Sequence, residues 1–342
     1  MDFGLPKAFV WSYNLAMLAY IVRRLAIGIV LLVLASMGVF VLVHYSGDPL
    51  ALLRQRTPPP PASVILAREQ LLHLNVPIWD QYWIWLSNVV RGNFGTDIQG
   101  LAVGPQLTMH LFVTLRMVLL ATVLAIFVAV PIGVWAAVRK GKPADHVVNV
   151  TNFLLLAVPT FVIGTLLKLF VAIPVNRAAG KTIFYTIGQQ NPILTGPWLG
   201  RFPDYAAHTV LPVLTLILVS YPSWAIYQRS SVLEALDSDY VRLARAKGLS
   251  PRRVLVRHVL RNALIPVTTV VALDFATIIG GAVITEEIFA WNGMGQWFLQ
   301  GVIGRDIDIV LAFLIVTATA IILFNLAADI LYAFLDPRIR YE

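Results

Sequence analysis

The sequence predicts an all-α integral membrane protein with about six transmembrane helices, and three observations carry that expectation. Of its 342 residues, 58% are hydrophobic and 13% are charged, with a mean hydropathy of +0.77; an ordinary soluble domain has roughly 25% charged residues. The apolar residues gather into six runs, each long enough for a ~30 Å hydrocarbon layer, which takes about 20 helical residues. Lys and Arg are spread unevenly around those runs, as they are around the spans of membrane proteins whose basic loops stay in the cytoplasm.

The first run, 25–43, follows Arg23-Arg24 and a cytoplasmic segment 1–24. It exceeds the roughly 7–15 apolar residues of a signal-peptide core, so it reads as a retained anchor. The others cover 117–138, 147–173 with Lys168 inside, 209–228, 264–284 with Asp274 inside, and 309–335 with Asp329 near its end. Together they make a single transmembrane domain over 25–335, followed by a tail at 336–342. Pro131, Pro159, Pro212, Pro222 and Pro266 lie in or beside the runs and predict kinks whose freed carbonyls find partners in neighbouring helices. With both termini in the cytoplasm, sixteen Lys and Arg fall on that side and nine on the other.

That orientation leaves two long external segments, 44–116 and 174–208. In the first, Pro58–Pro61 is a stiff spacer, Val64–Leu74 has the pattern of a short helix, and Trp79, Trp83 and Trp85 read as a headgroup-level aromatic belt. The cytoplasmic loop 229–263 is the most patterned. Ser238 is placed to cap a helix running past Tyr240 and Ala244, Gly248 suits a left-handed C-terminal residue, and Ser250-Pro251 restarts a helix. In that second helix Arg253, Arg257 and Arg261 share one sector and Leu255, Val259 and Ala263 the opposite one. In the first, the small residues Ala244, Ala246 and Gly248 leave room for another protein beside Arg242, Arg245 and Lys247. The alternative reading is an amphipathic helix lying on anionic lipid.

Several classes of function are excluded or disfavoured. No cysteine is present, so thiolate metal sites, disulfides and thiol nucleophiles are absent. The histidines at 44, 73, 110, 146, 208 and 258 are scattered, without metal-ligand spacing. No GxxxxGK[ST] occurs, so the chain has no Walker-type ATP site of its own. The net charge of +8 belongs to loops beside spans and does not call for nucleic acid. A secondary transporter would show a repeated pair of broken helices, and an intramembrane enzyme would pair catalytic groups at depth, where Asp274 stands alone. A carboxylate on so short a stem is poorly placed to snorkel, so Asp274 is a candidate either for the lining of a translocation path or for a structural partner, and Glu286, at the external end of the same span, either for that path or for simple solvation at the interface. Lys168 lies six residues before Pro174 and has a stem long enough to reach the external interface.

Asp239–Leu249 (DYVRLARAKGL) and Arg257–Pro266 (RHVLRNALIP) resemble the inner-membrane permeases of binding-protein-dependent ABC importers, in their dipeptide/oligopeptide branch. Gly47-Asp48-Pro49, Arg91–Gly95, Gly280–Val283 with Glu286 and Phe289, and Arg305-Asp306 extend the resemblance over most of the chain from about Leu18. The broader superfamily motif is degraded, with Arg242-Leu243-Ala244 in place of Glu-Ala-Ala and His258–Arg261 in place of Ile-x-Leu-Pro. Asn292 replaces a usual proline, and Pro58–Pro61 and residues 1–17 look like additions. The resemblance implies a type I ABC importer permease fold and a non-catalytic subunit of the bacterial cytoplasmic membrane. It implies that Asp239, Tyr240, Ala244, Arg245, Ala246, Lys247, Gly248 and Leu249 couple to an ATP-binding subunit. The partners implied are a second, homologous permease forming a heterodimer, two ATP-binding subunits, an extracytoplasmic substrate-binding protein and membrane lipid. The chain itself takes no cofactor or metal; ATP and Mg belong to the partners. Nickel and glutathione importers share the loop signature and are the nearest alternative cargoes.

Overall fold

A computed structural model describes residues 7–55, 57–194 and 197–335; the tail 336–342 and the first six residues of segment 1–24 lie outside them. Among the described residues the chain is helical apart from loops and one isolated bridge, Thr96 to Ala102. Six helices are long and apolar enough to cross a bilayer: 19–45, 103–138, 160–179, 200–236, 251–275 and 307–330. The portion expected as one domain over 25–335 divides by its contacts into two compact units, 109–297 and the remainder on either side of it.

In the flanking unit, α1 (Lys7–Tyr45) packs along α14 (Ile307–Leu335). Gly28 permits the approach, since a Cβ there would come within 2.9 Å of Ile322. Asp329 is held by Tyr20 at 2.9 Å and Arg24 at 3.1 Å, which compensates a carboxylate in an apolar helix. The external segment contains α2 (Ala51–Arg54), α3 (Ala62–Leu71), close to the predicted short helix, and α4 (Ile78–Val90). The aromatic belt divides across α4. Trp79 and Trp83 are exposed, but Tyr82 and Trp85 are buried against Phe40, Leu311 and Ile315. Tyr82 also donates to the carbonyl of Val33 at 3.1 Å. Half of the cluster is therefore core, because an amphipathic helix must bury its apolar stripe.

The other unit is organised on α9 (Trp198–Leu236), which packs against α6 (Pro143–Ala157), α7 (Thr160–Leu167) and α12 (Leu260–Ile288). The run expected as one span over 147–173 is broken. Val158 is extended, with φ −87° and ψ 124°, immediately before Pro159, because the proline ring disfavours the helical region for its predecessor. The spanning piece begins only at Thr160 and continues through a π-helical turn, Lys168–Ala172, into α8 (Ile173–Ala179). Pro174 has no N–H for the carbonyl four residues before it, so a widened turn at that point is understandable. α5 (Val103–Val138) crosses between the units and bears Pro131. The remaining elements are α10 (Asp239–Ala246), α11 (Pro251–Val254), a second π-helical turn at Leu255–Val259, and α13 (Met294–Gly304), which lay unread between two predicted spans.

Gly133 marks a close approach of α5 to α9. A Cβ there would lie 2.7 Å from both the carbonyl oxygen of Ala225 and Cβ of Gln228. Backbone cannot move aside as a side chain can, so Gly133→Ala is expected to destabilise the detergent-solubilised protein by about 1–3 kcal/mol. An unchanged thermal midpoint would show that α5 and α9 are not in close contact there.

Candidate functional site

α10 begins after Ser238, whose backbone is extended as an N-cap requires. Its hydroxyl does not cap the helix, however, but donates to the carbonyl of Ala235 at 2.5 Å. The helix closes at Gly248, with φ +74°, where the amides of Gly248 and Leu249 reach the carbonyls of Arg245 and Ala244 at 2.9 and 3.3 Å. Ser250 is again extended, and Pro251 starts the next helix. The break thus follows the left-handed C-terminal geometry that glycine adopts without a Cβ penalty.

The two faces of α10 differ sharply. Val241 and Ala244 are buried in a cluster with Ala137 from α5, Val232 and Ala235 from α9, and Val254, Val259 and Ala263 from the run into α12. Asp239, Tyr240, Arg242, Leu243, Arg245, Ala246, Lys247 and Gly248 are exposed. Ala244, read from sequence as part of a docking surface, is therefore on the inner face, and Leu249 is half-buried against the cluster. Helical periodicity explains the difference, since positions 241 and 244 share a stripe and 246 does not. Leu243 was missed. It is 58% exposed on an otherwise basic face, and a lone leucine among charges was the available signal. The Asp239–Arg242 pair, 3.3 Å and exposed on both sides, contributes little.

A polar latch behind this module was also missed. Asp145, on the first turn of α6, accepts from Arg229 Nε and Nη2 of α9 at 2.6 and 2.8 Å, from the amide of Gly141 at 3.0 Å and from Asn149 at 2.8 Å. The Arg229 guanidinium holds the Asp145 carboxyl well below the usual range, at about 2. A fork against a carboxylate fixes orientation as well as distance.

The two candidate path residues lie in different surroundings. Asp274 accepts from Trp224 Nε1 at 2.8 Å and lines a cleft of about 240 Å³ with Thr160, Leu216, Ser220, Ser223 and Ile278. Glu286 is fully buried. It accepts from the hydroxyl of Thr114 and from the amides of Gly295 and Gln296 at 2.7 and 3.2 Å, so its carboxylate caps the start of α13, where unpaired helix amides favour negative charge. Lys168 donates to the carbonyl of Ile288 at the end of α12 and lies 4.7 Å over the ring of Phe289. A cation there offsets the negative end of the helix dipole.

In the flanking unit, the residues around Arg305-Asp306 form a second knot. Asp306 accepts from the amides of Ile98 and Ile309 at 2.7 and 3.2 Å, and Asp308 from that of Thr96 at 3.2 Å. Burial pushes the Asp306 carboxyl up to about 6.

Six long apolar helices among the described residues, with a short amphipathic helix packed on the ends of three of them, define a helical integral membrane protein. Residues 129–341 match the family described as "Binding-protein-dependent transport system inner membrane component", and residues 17–127 match its N-terminal companion. The chain belongs to that family and is a multi-pass protein of the bacterial inner membrane. It is 41% identical to the oligopeptide transport system permease protein OppB of Mycobacterium tuberculosis, over 95% of this chain and 99% of that one. It is 35% identical to the oligopeptide permease AppB of Bacillus subtilis and 34% identical to the dipeptide permease DppB of Escherichia coli, each over 95% of this chain and all of the relative. A chain of the MetNI methionine ABC transporter, solved in inward-facing conformations, shares the fold with a TM-score of 0.50 at 18% identity, covering 67% of this chain and 96% of that one.

The Asp145–Arg229 latch gives a pH-dependent prediction. A carboxylate with a lowered folded pKa contributes stability above its unfolded value, near 3.8, and loses it as pH falls through about 2. Asp145→Asn is expected to cost about 3 kcal/mol at neutral pH, because Arg229 is left partly buried and unpaired, and to flatten the stability profile between those pH values. A variant that denatures along the wild-type acid curve would show that the pair is not formed.

Proposed function

We propose that this chain is the permease subunit of an ATP-driven peptide importer, forming half of the translocation path and receiving the ATPase stroke through α10. The observation that carries the proposal is the two-faced build of α10, with Val241 and Ala244 buried in the helix ends while Tyr240, Leu243, Ala246 and Gly248 stay exposed. Force applied to the exposed face reaches α5, α9 and α12 directly. Peptide cargo is supported by the oligopeptide and dipeptide names of the relatives; none of these three names favours nickel or glutathione.

In this reading both termini and α10 are cytoplasmic, and a second homologous permease completes a heterodimer. Two ATP-binding subunits carry ATP and Mg, and an extracytoplasmic binding protein delivers the peptide. ATP binding favours one of two conformations of the permease pair and so alternates access to the path. Asp274 lines that path and meets cationic peptide groups, with Trp224 fixing one carboxylate oxygen. Glu286, enclosed by its own hydrogen bonds, supports the end of the path without facing it.

Three outcomes test these points. Ala246→Trp is expected to abolish co-purification of the ATP-binding subunits and transport-stimulated ATP hydrolysis in a properly inserted protein; wild-type levels of both would remove α10 as the docking helix. Asp274→Asn is expected to lower uptake of cationic peptides several-fold more than that of neutral ones, and equal losses would take Asp274 off the path. Cysteines placed at Thr57 and Ser250 are expected to label from opposite sides of the membrane, and labelling from one side would overturn the orientation.

A further inference from the structure

The helical run from Pro251 into α12 presents four exposed arginines, Arg252, Arg253, Arg257 and Arg261. None of them takes part in an ion pair among the described residues. Val256, 57% exposed, lies among them, while Val254, Val259 and Ala263 face inward. The same run opens the apolar span 251–275, so the arginines stand where the chain enters the bilayer. Arginine stems run along apolar surface while their guanidinium groups stay at the polar boundary.

A second element marks that level independently. Trp135, near the end of α5, is 43% exposed, and the Arg139 guanidinium lies 4.7 Å over its ring. Tryptophan is enriched at the headgroup boundary because one part of the ring is apolar and one part polar. Ala137, between Trp135 and Arg139, is packed in the same cluster as Val254 and Val259. The arginine face therefore lies at the depth of an interfacial tryptophan, with Lys140 and Lys142 following Arg139 in the adjoining loop.

We propose that Arg252, Arg253, Arg257 and Arg261 form a collar that binds the headgroups of anionic phospholipids. Each arginine carries a fixed positive charge, and attraction to an anionic leaflet acts only within about a Debye length of the surface, which is where the Trp135 level places these groups. The collar adjoins α10 through Val254 and Val259, so bound lipid fixes the height of the coupling helix relative to the bilayer. An acidic protein surface is the competing occupant. The shared level with Trp135 favours lipid, since an interfacial tryptophan is not needed to meet a soluble acidic partner.

The test uses the assembled transporter in nanodiscs of phosphatidylcholine alone or an equimolar mixture with phosphatidylglycerol, followed by native mass spectrometry of retained lipid. Wild type is expected to keep phosphatidylglycerol preferentially. A triple Arg253→Gln, Arg257→Gln, Arg261→Gln variant is expected to lose about tenfold or more of that preference, while the corresponding triple Lys variant keeps most of it and Arg91→Gln, in the external segment, keeps all of it. Wild type without a preference, a Gln variant that retains it, or a Lys variant that loses as much as the Gln variant would each overturn the collar. Loss of the ATP-binding subunits from the Gln variant with lipid retention unchanged would also overturn it and assign the arginines to an acidic protein partner.

Discussion

The burial of Val241 and Ala244 is the contact on which the proposed transmission role rests. α10 has eight residues, too few for a helix to persist by itself in water. It is held because its apolar stripe fits among Ala137, Val232, Ala235, Val254, Val259 and Ala263, mostly alanines and valines that let backbones come close. The exposed face is then positioned by the buried one. Gly248 ends the helix sharply enough for the chain to turn back and supply Val254, Val259 and Ala263 to the same cluster.

Within the two units, five ionisable groups in or next to apolar helices are matched to specific partners. Asp145 is paired with Arg229, Asp329 with Tyr20 and Arg24, Asp274 with Trp224, Glu286 with the start of α13, and Lys168 with the end of α12. An ionisable group inside a bilayer without such compensation costs at least about 2.5–3.5 kcal/mol on insertion scales. Two of these solutions use helix termini in place of an opposite charge. Glu286 and Lys168 neutralise the amides opening α13 and the carbonyls closing α12, on either side of one turn. Asp274 differs in having a cleft beside it, lined also by Ser220 and Ser223.

What could be read from the sequence was what depends on neighbours a few residues apart. The apolar runs, the helix break at Gly248 and the opposed sectors of Arg253, Arg257, Arg261 and Val259, Ala263 all follow from local periodicity or backbone chemistry. What escaped depends on distant partners. α4 was hidden because Trp79, Trp83 and Trp85 look alike in sequence, and only Phe40 and Leu311 decide that Trp85 goes inside. α13 is short, and its start is fixed by Glu286 and Thr114. Pro159 was read as a kink within one span, and continuous hydropathy hid that the helix stops outright at Val158, although a residue before proline avoids helical geometry. Ala244 and Ala246 are equally small, and which of them turns outward follows from where Val241 is buried.

The central claim is that α10 and the adjoining ends of α5, α9 and α12 move as one body. Spin labels on Lys140 and Lys247, in the assembled transporter, report the distance between the end of α5 and the end of α10 before and after ATP is added. Packing of Val241 and Ala244 into a shared cluster predicts a distance distribution that stays unchanged while the ATP-binding subunits close. A distribution that shifts or splits on ATP binding would mean that α10 slides over the helix ends, and would contradict the account.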